Sequence, residues 1–137
     1  MKEITLQAKM DNLNPVIDMI EKELERFSCP MEVLTQISIA CEEIFVNIAC
    51  YGYTPDEGDA VVSIDITGNS PKRCVIIFDD SGHQFNPLEK PDPDVTLAAV
   101  ERPIGGLGIY MVKNTMDDVS YEYINGHNIL TITKSFN

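Results

Sequence analysis

Near the start of the chain, Ile4, Leu6 and Ala8 alternate with Glu3, Thr5 and Gln7, the period-two pattern of a half-buried strand. Asn14 before Pro15 is a helix-start signal, and Leu13, Val16, Ile17, Ile20, Leu24 and Phe27 then recur at helical spacing. The triplet "SCP" breaks that helix, and Pro30 can open a second one from Met31 to about Cys50. There Ile37, Ala40, Cys41, Ile44 and Ile48 form one apolar face. Val33, Ile39, Phe45 and Val46 spread apolar character round much of the remainder, which predicts cover on more than one side. "VVSIDIT" and "RCVIIFDD" read as two strands joined at "GNSP", the second apolar enough to be central.

Residues 81–103 are rich in proline and acids, with only "VTLAAV" offering a short helical pattern. A connection of that length inside a compact domain is usually functional or mobile. Gly105, Gly106 and Gly108 bracket the start of a helix running from Leu107 to about Met116. Val119–Ile124 and His127–Lys134 then close the chain as a hairpin around "NG", a strong short turn signal. Strands joined by hairpins, with helices grouped elsewhere, predict an α+β fold. The expected architecture is a two-layer α/β sandwich, with a mixed, mainly antiparallel sheet of about five strands and three main helices on one face. At 137 residues the chain is expected to form a single domain, 1–137.

Composition narrows the function. The net charge of −12 argues against nucleic acid, whose binding needs clustered Lys and Arg to displace counterions. It leaves a bound nucleotide open, because screening acts over roughly 8 Å and local amides, a metal ion or a few cations can outweigh distant acids. The acidity would also suit a basic protein partner. The four cysteines show no C-x-x-C spacing. Cys41, Cys50 and Cys74 sit in apolar stretches and read as buried thiols rather than disulfides or metal ligands. Neither His83 nor His127 has metal-ligand spacing. "MKEITLQAKM" lacks the apolar core of a signal peptide and no run is expected to span a membrane, so a cytosolic protein is expected.

Three short stretches carry candidate chemistry. In "EEIFVN", Glu43 and Asn47 stand one turn apart on the same side of a helix, with Glu42 turned elsewhere. Such a carboxylate and amide can orient a hydroxyl and give an oxygen ligand to Mg²⁺, or can simply be an exposed acid beside a capped amide. Asn47 is a poor helix former in mid-helix, between Val46 and Ile48. In "FDDSGHQFNP", Asp80 ends the central strand and Ser-Gly follows, which suits an ordinary turn. An ionised Asp accepts hydrogen bonds only, so Asp80 also suits the exocyclic amine of adenine, with Gly82 letting a flat base lie close. In "GGLGIYMVKN", a helix N-terminus with unpaired N–H groups meets glycines that clear the approach for a phosphate.

In order and spacing these stretches resemble the GHKL ATPase superfamily, the nucleotide fold of histidine kinases, gyrase-type ATPases and anti-sigma factor kinases. "EIFVN" resembles its E-x-x-x-N helix, "DDSGHQFNP" its D-x-G-x-x-F-[DN]-P turn, and "GGLGIYMVKN" its G-x-G motif. The tail and small size are closest to the anti-sigma factor serine/threonine kinase branch, and the resemblance runs from about Leu13 to Phe136.

That resemblance implies ATP and Mg²⁺ as cofactors. It implies Glu43 as general base, Asn47 as Mg²⁺ ligand, Asp80 as acceptor of the adenine amine and Gly82 beside the base. Gly106, Leu107 and Gly108 would lie at the phosphates, and Thr131 would match a threonine near the adenine. A lid of about 88–105 would fold over ATP. The implied partners are an anti-sigma antagonist protein, phosphorylated on Ser or Thr, and a sigma factor, with no direct nucleic acid or membrane contact. A homodimer is a further implication, with the first strand and helix as its candidate interface.

The chain departs from the pattern at Gln84, where many relatives have glycine, and at Cys50, Tyr51 and Gly52, where a histidine is common. "NLNPVIDMI" also has no cation, the nearest being Lys9 and Lys22. Phosphoryl transfer leans on positioned positive charge. A nucleotide-sensing binding module with little or no kinase activity is therefore the alternative.

Overall fold

The structure, a computed structural model, describes residues 1–53, 58–89 and 107–137. Five strands, β1 (Lys2–Gln7), β2 (Asp59–Thr67), β3 (Lys72–Asp80), β4 (Asp118–Ile124) and β5 (His127–Phe136), form one sheet in the order β1-β2-β3-β5-β4. Three helices, α1 (Leu13–Arg26), α2 (Met31–Asn47) and α3 (Leu107–Thr115), complete an α+β sandwich. Every neighbouring pair of strands is antiparallel, where a mixed sheet was expected. The reason is the placement of β5, which inserts between β3 and β4 and so separates the two strands that run the same way.

Alternation along the strands puts Ala60, Val62, Ile64 and Ile66 of β2 on the buried face, with Cys74, Ile76 and Phe78 of β3 and Leu130 and Ile132 of β5. Against them α1 lays Val16, Ile20 and Leu24, spaced i, i+4, i+8 and fully buried. α2 adds Leu34, Ile37, Ala40, Cys41, Ile44 and Phe45, and α3 adds Val112. α2 is packed by both α1 and α3, which explains why its apolar residues run past one face.

Local signals account for the ends of these elements. Pro30 occupies the N-cap of α2. α1 begins at Leu13 after a 3-10 turn, Met10–Asn12, and the Asn12 amide, rather than Asn14, ties the entry by donating to the Gln7 carbonyl at 2.8 Å. Asn125 and Gly126 both take positive φ, 52° and 81°, the type I′ geometry that "NG" predicts.

α2 runs on into a π-helical turn, Ile48–Gly52. Together, Met31–Gly52 are long and apolar enough by composition to cross a membrane, against the expectation from the sequence. Here they form the central helix of the helical layer, whose inward side chains pack on the sheet. The same turn corrects the reading of Cys50: Cys41 and Cys74 are buried, but Cys50 is exposed and Cys29 is partly so. Burial on this helix ends with Phe45, and beyond it Ile48 and Ala49 are only half covered.

Candidate functional site

A cavity of about 40 Å³ lies between the C-terminal half of α2, the ends of β3 and β5, and the segment that follows β3. Ile44, Ile48, Phe78 and Leu130 make its walls apolar, and Asn47, Asp80, Tyr121 and Asn128 bring polar atoms to it. Asp80 is the last residue of β3 and only 6% exposed. Its Oδ1 accepts from the Gly82 N–H at 2.9 Å and from Asn128 Nδ2 at 3.0 Å. Both of these bonds fall on Oδ1, and Asp80 lines the cavity. Burial holds the Asp80 carboxyl above the usual carboxylate range. The Asn128 and Gly82 bonds oppose that rise by favouring the charged form, while Asp79 adds to it and His127 subtracts.

The turn after Asp80 is fastened from two directions. Tyr53 Oη accepts from the Ser81 N–H at 2.8 Å and donates to the Asp59 carbonyl at 2.6 Å. The Gly52 carbonyl, at the end of the π-helical turn, accepts from the His83 N–H at 2.8 Å. Gly82 must be glycine here, because a Cβ would collide with the Gly52 carbonyl. The departure from an α-helix thus has a local purpose, since it carries the Gly52 carbonyl to the strand end that bears Asp80.

At the other end of the site, Asn47 Nδ2 reaches Glu43 Oε1 at 3.4 Å, as one-turn spacing predicts. The Glu43 carboxylate lies directly against the α-carbon of Gly108 in the first turn of α3, and a Cβ there would overlap its Cδ and both oxygens. From Glu43 to Gly52 the helix axis advances roughly 13 Å at 1.5 Å per residue, so the polar groups mark two ends of an elongated site.

The structure thus brings Asp80 and Asn47 to one cavity, while Glu43 and Gly108 meet each other beside Asn47 without lining it. Gly82 supports the Asp80 carboxylate through its N–H and does not line the cavity. Gly106 and the segment 90–106, with "VTLAAV" and all of the expected lid except Leu88 and Glu89, lie outside the described residues; of Leu107 only its place as first residue of α3 is described.

Thr131 is displaced from its expected role. It pairs with Ile77 of β3 and sits between Leu130 and Ile132, which face the helices, so it belongs to the opposite face of the sheet. Asn128 stands across from Asp80 instead. Sequence reasoning missed it, although its signal was present: a polar residue three before Thr131, on a strand whose register with β3 fixes which side chains reach the acid.

An open antiparallel sheet under one helical layer, with a buried acid closing its central strand and a glycine-bearing helix start facing a glutamate, defines an α+β sandwich with a candidate ligand site. The chain belongs to the histidine kinase-like ATPase domain family, whose model matches residues 6–134. It is similar to the serine-protein kinase RsbW of Bacillus thuringiensis (strain Al Hakam), 28% identical over 101 residues. The match covers 71% of this chain and 61% of that relative. RsbW proteins of Bacillus cereus (strain AH820) and Bacillus anthracis match with the same identity and coverage. The matched stretch spans less than two thirds of the length of these relatives. The resemblance to histidine kinase-like ATPases carried by the three motifs is borne out by the family match, and the relatives that match are serine-protein kinases by name.

Proposed function

We propose that this chain binds Mg²⁺–ATP in the cavity beside α2 and transfers the γ-phosphoryl group to a serine or threonine of a small anti-sigma antagonist protein. Binding to a sigma factor would complete a cytosolic partner-switching regulator of transcription. The observation that carries the nucleotide reading is Asp80, which lines an apolar cavity while one of its oxygens is held by two donors. An acceptor on a largely buried acid, beside apolar walls, suits the amine edge of adenine.

The donor set also fits the rest of the ligand. Asn47 would supply one neutral oxygen to Mg²⁺. When bound, the ion neutralises charge on the β- and γ-phosphates. The missing Cβ of Gly108 is room that the Glu43 carboxylate fills, and the N–H groups and dipole at the start of α3 would favour phosphate oxygens. Glu43, held at that end by Asn47, would accept the proton of the incoming hydroxyl.

Titration with Mg²⁺–ATP tests the site: a rise in melting temperature supports it, and no binding sinks it. Labelled ATP, incubated with the protein and the small proteins encoded beside it, tests transfer. Label on a partner Ser or Thr is the expected result. A second reading, a nucleotide-sensing module with little or no transfer, draws support from α1. Its Lys22 is held by Asp18 at 2.8 Å and its Arg26 by Glu23 at 3.3 Å, and neither lines the cavity. Tight ATP binding with no label transferred selects that reading.

A further inference from the structure

We infer that Asn128 is the positioning residue that aims the Asp80 carboxylate into the cavity, and that it thereby sets the preference for a 6-amino over a 6-oxo purine. This rests on the nucleotide reading of the cavity. The orientation of the Asn128 amide follows from its backbone partners. Its Oδ1 accepts from the Phe85 N–H at 3.1 Å, and its Nδ2 donates to the His83 carbonyl at 2.9 Å. Turning the amide over would set N–H against N–H and oxygen against oxygen, so only one arrangement is chemically allowed.

With the amide fixed, its remaining bonds are fixed as well. Nδ2 must be the donor to Asp80 Oδ1 at 3.0 Å, and Oδ1 the acceptor from Tyr121 Oη at 2.5 Å. Burial pushes the Tyr121 phenol above its ordinary range, so it stays protonated and donates. Both N–H groups and both lone pairs of Asn128 are then used. It offers nothing to a ligand, and its influence runs through Asp80.

Asn128 and Asp80 are direct partners across β5 and β3, so the amide meets the carboxylate from the side, next to Gly82 N–H. These two donors hold Oδ1 and leave Oδ2 as the oxygen that faces the base. Asparagine is a poor strand former and costs desolvation when 6% exposed, yet here every polar atom is matched. One side chain thereby joins β3, β4, β5 and the segment 83–85 at the base end of the site. A carboxylate oxygen aimed in this way accepts from a 6-amino group and repels a 6-oxo group.

The test is calorimetric titration of the full chain with Mg²⁺–ATP and Mg²⁺–ITP, which differ at that group. Wild type is expected to favour ATP by at least about tenfold. Asn128→Asp keeps acceptors for Phe85 N–H and Tyr121 but replaces the donor to Asp80 with a second carboxylate, and the pair would share a proton. Its ATP/ITP ratio should fall by about tenfold. Tyr121→Phe removes only the phenol bond to Oδ1, and should lower the ratio by about twofold while keeping the ring. It carries the test if the Asn128 variant does not fold.

A residue that merely supported the fold would weaken both nucleotides alike, so an unchanged ratio in Tyr121→Phe and in folded Asn128→Asp overturns the inference alone. Absence of binding of either nucleotide to wild type overturns the reading of the cavity, and this inference with it.

Discussion

Asp80→Asn separates what the acid does for a ligand from what it does for the fold. The Gly82 N–H and Asn128 Nδ2 both reach Oδ1, and an asparagine oxygen in the same place accepts both. The tie between β3, the turn and β5 therefore survives. What changes is the group facing the cavity, which becomes an NH₂ donor.

For stability, the sign follows from burial. The folded pKa of Asp80 is raised, so its favourable contribution is full below the ordinary carboxylate range and is lost as pH rises through the raised value. At pH 7 the buried charge is a net penalty, which asparagine removes. The melting temperature of the variant should equal or exceed that of wild type at pH 7, and the advantage should shrink toward about pH 4. For the ligand, loss of a hydrogen bond to a charged group is about 2 kcal/mol. That is about 30-fold in Kd for Mg²⁺–ATP, with the facing donors adding to it. Calorimetry and thermal melts at both pH values read the two effects. An ATP affinity within threefold of wild type, or a variant less stable than wild type at pH 7, would refute the reasoning.

Other substitutions read the rest of the site. Gly108→Ala sets a methyl group where the Glu43 carboxylate lies; that flexible tip can swing away, so stability should change by less than about 1 kcal/mol while phosphoryl transfer falls at least about tenfold. Gly82→Ala has no such escape because it meets the Gly52 backbone, and chemical denaturation should show a loss of about 2 kcal/mol with ATP binding impaired. Asn47→Ala should abolish the difference between ATP affinity with and without Mg²⁺, measured by titration in a chelator. A thiol reagent at pH 8 should label Cys50 quickly in the native protein. Cys74, whose thiol burial pushes up to about 12, and the fully buried Cys41 should react only on unfolding.

Much of the fold could be read from periodicity, because the signals are local. The i, i+4 stripe of α1, the alternation in β2 and β3 and the "NG" hairpin each depend on residues within a few positions of one another. What escaped was non-local. The sequence "NILTIT" carries apolar residues at 129, 130 and 132, so its alternation has no clear phase, and only pairing with β3 shows that Asn128 and Leu130 face the helices while Thr131 does not. The same holds for the sheet, since nothing near β4 or β5 says which of them neighbours β3. Cys50 looked buried because its apolar surroundings continue those of α2, whereas the π-helical turn changes the angular phase just before it. Glu43, Asn47 and Asp80 were legible as a set because two lie one turn apart and the third ends a strand; the meeting of Asn47 and Asp80 at one cavity comes from the packing of α2 on the sheet.

The facing of Asp80 and Asn128 also has a consequence for folding. Their strands are joined through a long stretch of chain, so β3–β5 pairing is a non-local event that closes a long loop. A slip of β5 by one residue would turn Asn128 to the outer face and leave the carboxylate without its donor. A ligand that reads Asp80 therefore recognises correctly aligned chains, and by mass action it draws newly made protein toward that alignment. Cellular nucleotide would then serve as a proofreader of strand pairing, before it serves any reaction.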